Sequence, residues 1–232
     1  MIPVTDENDL LLAVAHELMN PLTIVNLQVG LMKRQMALHQ TLKSENLLSQ
    51  LKMFERQICK INAFLNRITD FAILKNGSGV FKMEATDLAP LVKKIIEDVE
   101  VIEPRARIEL QITDAAQNSL QGYWDRLWLE QAIRNLVDNG LKHGEGRGLK
   151  IILHRNENQV EIRVIDQGPG IPPDWINQIF EWGARAPKGV SKPGMGIGLY
   201  LVKQIIMIHK GDVKVHSVLG RGAEFVVTLP VN

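Results

Sequence analysis

Apolar residues in the first 76 positions recur with a seven-residue period, and this pattern strongly constrains the fold. Two series occur, each with spacings that alternate between four and three residues. The first series is Leu11, Ala15, Leu18, Leu22, Val25, Val29, Met32 and Met36, and the second is Leu47, Leu51, Phe54, Ile58, Ile61, Leu65, Ile68 and Ala72. Unbroken heptads of this kind predict two helices of the coiled-coil type, each about 40 Å long.

A polar gap at residues 39–46 separates the two series and predicts a turn between antiparallel helices. Two helices alone bury little of each other's surface. We therefore expect the hairpin to pair with a second copy as a four-helix bundle, which makes the protein a homodimer.

Glycine divides the chain at the end of the second series. Gly30 is the only one of 18 glycines before residue 77, and the other 17 follow. Glycine-poor sequence suits long helices, and glycine-rich sequence suits tight turns and ligand loops. We predict a helical hairpin over residues 1–76, a linker over residues 77–86 and a second domain over residues 87–232.

Helical and strand patterns are mixed in the second domain. The predicted helices are residues 87–101, 124–141 and 195–209, and the predicted strands are residues 107–112, 149–154, 160–165, 213–216 and 224–229. The last four strands are expected to form antiparallel hairpins. The pattern predicts a layered α/β sandwich.

Composition excludes several classes of protein. With 45% hydrophobic and 23% charged residues the chain is globular, and its net charge of +1 argues against nucleic-acid or anionic-membrane binding through bulk charge. The longest apolar run, residues 10–15, is far too short to span a membrane. A single cysteine, Cys59, fits a reducing compartment, so we expect a cytoplasmic location without membrane insertion by this chain.

His16 is the first candidate for chemistry. It stands beside Glu17 and one helical turn before Asn20, which places His16 and Asn20 on one outward face. An exposed imidazole beside a carboxylate can be held in one tautomer while its other nitrogen attacks a substrate. The alternative is an ordinary solvent-facing histidine. A proline inside a helix removes a hydrogen bond and is expected to kink the helix, which costs stability. Because the sequence keeps Pro21 despite this cost, about one turn beyond His16, Pro21 favours a functional site.

A second candidate cluster lies on the helix predicted over residues 124–141. Asn135 and Asn139 are one turn apart, and Lys142 follows near the end of that helix. Asparagine is a poor helix former, so the pair is either solvated surface or a set of ligands. Amide oxygens suit Mg²⁺, which shares its coordination shell with phosphates, and lysine suits the phosphates themselves.

Two glycine-rich segments complete the candidates. Asp166 ends a predicted strand just before Gly168 and Gly170. Its carboxylate can accept a hydrogen bond from an exocyclic amine such as that of adenine, although a tight turn capped by aspartate is the alternative. Residues 194–199 lead into an apolar helix, where free backbone N–H groups would face a phosphate. That glycine triplet alone is weak evidence.

Taken together and in order, these segments resemble the sequence boxes of the sensor histidine kinases. Residues 16–23 resemble the phosphoacceptor box, 135–142 the N box, 166–170 the first glycine box, 180–186 the F box and 194–199 the second glycine box. The resemblance covers essentially the whole chain, as a dimerisation and phosphotransfer domain followed by an ATP-binding domain of the Bergerat (GHKL) type. Gly140 departs from the family, which usually has alanine there, and Trp182-Gly183 departs from its usual aromatic spacing.

The resemblance implies a protein-histidine kinase that autophosphorylates His16 with ATP and passes the phosphoryl group to an aspartate of a response-regulator receiver domain. Glu17 would orient the imidazole or act as general base. Asn20 would support dephosphorylation of the regulator.

The resemblance also implies the nucleotide site. Asn139 would bind Mg²⁺, and residues 171–193 would form a mobile lid from which Arg185 reaches the γ-phosphate. The other implied nucleotide-binding residues are Asn135, Lys142, His143, Asp166, Gly168, Gly170, Gly194, Gly196, Gly198 and Leu199.

Two other functions stay open at this point. A related ATPase could use the same nucleotide fold for conformational work, as chaperone and mismatch-repair ATPases do, but those proteins do not resemble residues 16–23. A dimeric scaffold could bind nucleotide without chemistry. The sensing and membrane modules of the family are absent from this sequence, so either the chain is an excised catalytic region or it senses through a separate sensor module.

Overall fold

The computed structural model describes residues 7–37, 44–75, 79–113, 120–144, 146–184 and 196–231. The chain divides into two compact units, Met1–Gly77 and Ser78–Asn232.

The first unit consists of two long helices, α1 (Glu7–Ala37) and α2 (Ser44–Lys75). They coincide with the two heptad series, so the helices predicted there are confirmed. Gln28 lies nine residues before the end of α1, and its side chain contacts the sulfur of Met53, nine residues after the start of α2. The contact therefore lies equally far along the chain from the end of α1 and from the start of α2, as expected for an antiparallel hairpin.

Pro21 lies inside α1, which continues as an α-helix on both sides of it. A proline at this position removes one donor from the helical ladder. Two residues later, the Thr23 hydroxyl donates to the Met19 carbonyl oxygen at 2.7 Å. The helix therefore keeps a side-chain hydrogen bond in the turn that contains the proline.

The second unit is built on a five-stranded sheet with the strand order β2-β4-β5-β7-β6. Its strands are β2 (Ile108–Ile112), β4 (Leu149–Arg155), β5 (Gln159–Asp166), β6 (Asp212–Ser217) and β7 (Ala223–Pro230). β2 and β4 are parallel, and the other three pairs are antiparallel. A separate antiparallel pair joins β1 (Glu84–Asp87) and β3 (Gln121–Trp124).

Alternate side chains of β4, β5 and β7 are buried, as expected for a sheet with one covered face. The helices of the unit are α3 (Leu88–Ile102), α4 (Arg126–His143), the single turn α5 (Pro173–Ile176) and α6 (Gly198–Ile208). α3, α4 and α6 each bury an apolar stripe. The predicted α/β sandwich is confirmed.

The prediction that helix 124–141 begins at Trp124 is wrong. Trp124 ends β3, it is 1% exposed, and its indole N–H donates to the Pro230 carbonyl oxygen at 2.8 Å. The ring lies over Gly122, where an added β-carbon would be 2.2 Å from the indole. Asp125 then caps α4, which begins at Arg126.

Three further differences separate the predicted elements from the observed ones. The short strands β1 and β3 and the parallel pairing of β2 with β4 were not predicted. α6 begins at Gly198, and Met195, the predicted start, lies outside the described residues. Asp87, the predicted start of helix 87–101, is instead the N-cap of α3, and its side chain accepts a hydrogen bond from the Ala89 N–H.

Candidate functional site

The middle of α4 carries the two asparagines of the candidate site. Asn135 is 5% exposed, whereas Asn139, one turn later, is half-buried. Among the described residues, the Asn135 Nδ2 has no hydrogen-bond partner. A buried amide without a partner is costly, and it is a donor that a bound ligand can use.

The amino terminus of α6 lies next to Asn135. A β-carbon added at Gly198 would lie 3.7 Å from the Asn135 Oδ1, which is an ordinary contact distance. The N-cap of α6 is Ile197, whose side chain cannot accept a hydrogen bond from the first turn. Gly198 and the half-buried Leu199 therefore open a helix whose positive end has no side-chain cap, beside the side chain of Asn135.

Asp166 lies at the end of β5 and is 4% exposed. The Gly168 N–H donates to its Oδ1 at 2.8 Å. Burial raises the pKa of the Asp166 carboxyl above its ordinary value, and the N–H groups of Gly168 and Ala223 oppose that shift only in part. A buried carboxylate in this state gains from an additional donor, such as an exocyclic amine.

Gly168 makes the close approach of this loop to α4 possible. A β-carbon there would lie 2.4 Å from the His143 carbonyl oxygen, at the end of α4. Gly170 has a φ of +76°, and its β-carbon would lie 2.4 Å from the Val218 carbonyl oxygen. Both glycines are therefore required by the packing of the loop itself.

The turn between β6 and β7 supports the loop that follows β5. The sequence did not predict this support. The Ile171 N–H donates to the Ser217 Oγ at 2.8 Å, and the Gly220 N–H donates to the Pro169 carbonyl oxygen, also at 2.8 Å. Gly222, with a φ of +86°, lies against the Asp166 backbone. In the sequence, Gly220 and Gly222 are the features that indicate a tight turn at this place.

The described part of the predicted lid packs onto the domain. Phe180 is buried and meets Phe225 of β7 edge to face, with ring centroids 6.3 Å apart. Trp182 meets Tyr200 of α6 edge to face at 5.6 Å. Gly196 has a φ of +68° and lies against the backbone of Ala184. Arg185 and Gly194, both predicted site residues, lie outside the described residues.

The structure thus brings together most of the site residues predicted in the second unit. Asn135, Asn139, Asp166, Gly168, Gly170, Gly198 and Leu199 lie on α4, after β5 and at the start of α6. Lys142 and His143 occupy the last turn of α4, and both are half-buried. Among the described residues, no three His, Cys, Asp or Glu side chains form a metal-binding cluster.

The residues predicted in the first unit all lie on α1. His16, Glu17 and Asn20 fall within one turn and a half of the helix, and Asn20 is exposed. The side chains of His16 and Glu17 lie outside the described part of the chain. No helix among the described residues is long and apolar enough to cross a membrane.

Comparison with known proteins agrees with this arrangement. Residues 124–232 match the family described as Histidine kinase-, DNA gyrase B-, and HSP90-like ATPase. The Adaptive-response sensory kinase SasA of Crocosphaera subtropica (strain ATCC 51142 / BH68) is 32% identical over 228 residues. That similarity covers 97% of this chain and 59% of the relative, so the chain spans less than two thirds of that relative's length.

Two solved structures are also similar. Full-length ShkA, solved in complex with AMPPNP, is 25% identical with a TM-score of 0.63, covering 83% of this chain and 40% of that chain. The Acinetobacter baumannii histidine kinase AdeS has a TM-score of 0.65 at 21% identity, covering 94% of this chain and 98% of that chain, and this likeness shows a shared fold.

The α/β sandwich, with its site between α4, the end of β5 and the start of α6, is an ATP-binding domain of the histidine kinase, DNA gyrase B and HSP90 class. Together with its two-helix unit, this domain makes the chain similar to a sensory kinase over 97% of its length.

Proposed function

We propose that this chain is an ATP-dependent protein-histidine kinase that phosphorylates its own His16. One observation supports this most strongly. The buried side chain of Asn135 has an Nδ2 without a partner among the described residues, and its Oδ1 lies beside the N-terminus of α6, which has no side-chain cap, in the domain that also buries Asp166. An amide donor, a positive helix end and an acceptor for an amine match the phosphates and the adenine of ATP.

The proposed reaction moves the γ-phosphoryl group from ATP to the imidazole. The bond from the γ-phosphorus to the β–γ bridging oxygen breaks, a phosphorus–nitrogen bond forms on His16, and ADP leaves. Glu17 takes the imidazole proton or holds the ring in the reactive tautomer. Positioning and charge neutralisation supply most of the catalysis in phosphoryl transfer.

Mg²⁺ is the proposed metal, with Asn139 as its protein ligand. The half-buried amide of Asn139 lies one turn beyond Asn135, which suits an ion that keeps waters and shares phosphate oxygens. When bound, the ion neutralises charge on the phosphates. Lys142 and His143, at the end of the same helix, are proposed to lie along the phosphates and the edge of the nucleotide.

We also propose that the hairpin forms a dimeric four-helix bundle. Several heptad residues remain exposed on α1 and α2, with 44% exposure at Leu22, 46% at Leu51, 54% at Ile58 and 45% at Leu65. Apolar seam positions are normally covered. A second copy of the hairpin would cover them.

The proposed partner is the receiver domain of a response regulator, which takes the phosphoryl group from His16 onto an aspartate. The proposed domains are the hairpin over residues 1–76, a linker over residues 77–86 and the ATP-binding domain over residues 87–232. Signals would come from a sensor module, and the proposed location is the cytoplasm.

Incubation of the full chain with γ-labelled ATP and Mg²⁺ tests the proposal. We expect acid-labile label on the wild-type protein and none on His16→Ala. His216→Ala, which removes an exposed histidine of β6, should label normally. Label that persists in His16→Ala would overturn the assignment, and ATP turnover without any phosphoprotein would favour an ATPase that does conformational work.

A further inference from the structure

A second buried polar centre lies at the far ends of the two helices that hold the site. His209, the residue after α6, is 4% exposed. Its Nδ1 donates to the Ile205 carbonyl oxygen at 2.7 Å, and its Nε2 accepts from the Asp125 N–H at 3.0 Å. Because a backbone N–H must donate, Nε2 carries no proton, and the ring is neutral with its proton on Nδ1.

Asp125, on the other side of this hydrogen bond, fixes the start of α4. Its Oδ1 accepts from the N–H groups of Leu127 and Trp128 at 3.0 and 3.1 Å, and its Oδ2 accepts from the Lys82 N–H at 2.7 Å. Asp125 is 5% exposed. The His209 hydrogen bond therefore connects the end of α6 to a rigidly held N-cap.

The two helices are antiparallel and are joined at both ends of their contact. Asp125 meets His209 at one end, and Asn135 meets Gly198 at the other. The helical path from Asp125 to Asn135 is about 15 Å and that from Gly198 to His209 is about 17 Å, at the usual rise per residue. These nearly equal lengths mean that the two contacts are separated by the same distance along both helices.

We propose that His209 is a positioning residue for the nucleotide site. Through Asp125, it holds α4 and α6 in the axial register that places the Asn135 amide beside the N-terminus of α6. This inference rests on the proposed function, in which that amide and that helix end bind the phosphates of ATP.

Small axial displacements matter in such a site. A misplacement of about 1 Å far from the chemistry can cost two orders of magnitude in rate. Loss of the Nε2 acceptor would leave the buried Asp125 N–H without a partner, and a shift of α4 along α6 is one way to expose that group to water. Burial also lowers the pKa of His209 below its ordinary value, which keeps the ring neutral and able to accept.

A matched pair of variants separates this role from local stability. His209→Asn keeps a donor that can reach the Ile205 carbonyl oxygen but removes the acceptor for the Asp125 N–H. His209→Gln places an oxygen near the position of Nε2 and should restore that acceptor. Thr86→Val is the control, because it removes buried hydrogen bonds to Glu84 and Trp124 and leaves the His209 contact in place.

Two measurements on the full chain test the proposal. The first is the NMR chemical shifts of the Asn135 side-chain amide and the Gly198 backbone amide, recorded without nucleotide. The second is the dissociation constant and the stoichiometry of Mg-ATP by calorimetry. In His209→Asn we expect both signals to move and the dissociation constant to rise roughly fivefold or more, at the lower end of couplings between sites. The stoichiometry should not change, His209→Gln should restore both properties, and Thr86→Val should alter neither.

The outcomes are distinguishable. If the Asn135 and Gly198 signals do not move in His209→Asn, the proposal is overturned. It is also overturned if both signals move while the affinity for Mg-ATP stays unchanged. A lower stoichiometry at unchanged affinity means that His209 only stabilises the fold, and this also overturns it. If the wild-type chain binds no nucleotide, the proposed function fails, whereas the NMR comparison still decides whether His209 sets the register.

Discussion

Replacing Gly168 by alanine should weaken both the stability and the nucleotide affinity of the unit Ser78–Asn232. The new β-carbon would lie 2.4 Å from the His143 carbonyl oxygen and 2.9 Å from the Asp166 Oδ1. Ordinary contacts begin at 3.4 Å, so the first distance falls short by 1.0 Å. The loop after β5 and the end of α4 would have to separate by that amount.

The cost follows from what must move. The His143 oxygen belongs to backbone at the end of a packed helix, so it cannot yield as a flexible side chain can. Overpacking of this kind costs about 1–3 kcal/mol. In a chain of this size that corresponds to a fall of roughly 2–12 °C in the Tm. Separation of the loop from α4 would also displace the Asp166 carboxylate from the site.

Tryptophan fluorescence is a suitable assay, because all four tryptophans lie in the second unit, at Trp124, Trp128, Trp175 and Trp182. Gly198→Ala is the matched control, since its β-carbon would make only an ordinary contact at 3.7 Å. We expect Gly168→Ala to lose Tm and Mg-ATP affinity together. Gly198→Ala should keep the wild-type Tm and lose affinity alone. A wild-type Tm in Gly168→Ala would refute the packing described for this loop.

Three further predictions concern single side chains. Asn20→Ala should keep autophosphorylation of His16 within severalfold but lose phosphatase activity toward a phosphorylated receiver domain, and a wild-type phosphatase rate would make Asn20 ordinary surface. Asp166→Asn should weaken ATP binding in calorimetry by at least about tenfold. The pKa of Asp166 is raised in the folded state, so the protonated side chain contributes to the free energy of unfolding. This contribution is complete at low pH and is lost as the pH rises through the folded-state pKa. Asp166→Asn should therefore equal or exceed the wild-type Tm at neutral pH, and a clear fall in Tm would contradict this. His209 has a lowered folded-state pKa, so its stabilisation is present above about pH 6.5 and is lost as the pH falls through the folded value. The Tm difference between wild type and His209→Gln should shrink on acidification, and a constant difference would contradict the assigned burial of a neutral ring.

Sequence patterns predict the elements of this chain where burial depends on local periodicity. The heptads define α1 and α2 because a coiled-coil helix buries the same face along its whole length. Alternating apolar residues define β4, β5 and β7 for a similar reason, since one face of each strand is buried.

The missed elements depend on partners distant in the chain. β1 has the sequence Glu-Ala-Thr-Asp, which carries little strand propensity, and it forms through pairing with β3. Trp124 continues an apolar pattern that predicts a helix, but its indole donates to the carbonyl oxygen of Pro230, 106 residues further along the chain. No local pattern reports such a contact.

The candidate site shows the same division. Residue types and spacing made Asn135, Asp166 and the glycines candidates, but each motif alone had a structural alternative, and only the ordered resemblance to a known family selected them as site residues. The hydrogen bond between His209 and Asp125 joins residues 84 positions apart, and a lone histidine at the end of an apolar helix gives no signal of it.

Phosphorylation of the chain by ATP on His16 is tested most directly by locating the phosphoryl group. The full chain is incubated with Mg-ATP, kept at alkaline pH to preserve phosphohistidine, digested and sequenced by tandem mass spectrometry. We predict one phosphoryl group, on the imidazole of His16, that appears only with ATP present and is absent from Asn139→Ala. A phosphoryl group on another residue, or an unmodified His16 in a preparation that turns over ATP, would contradict the account.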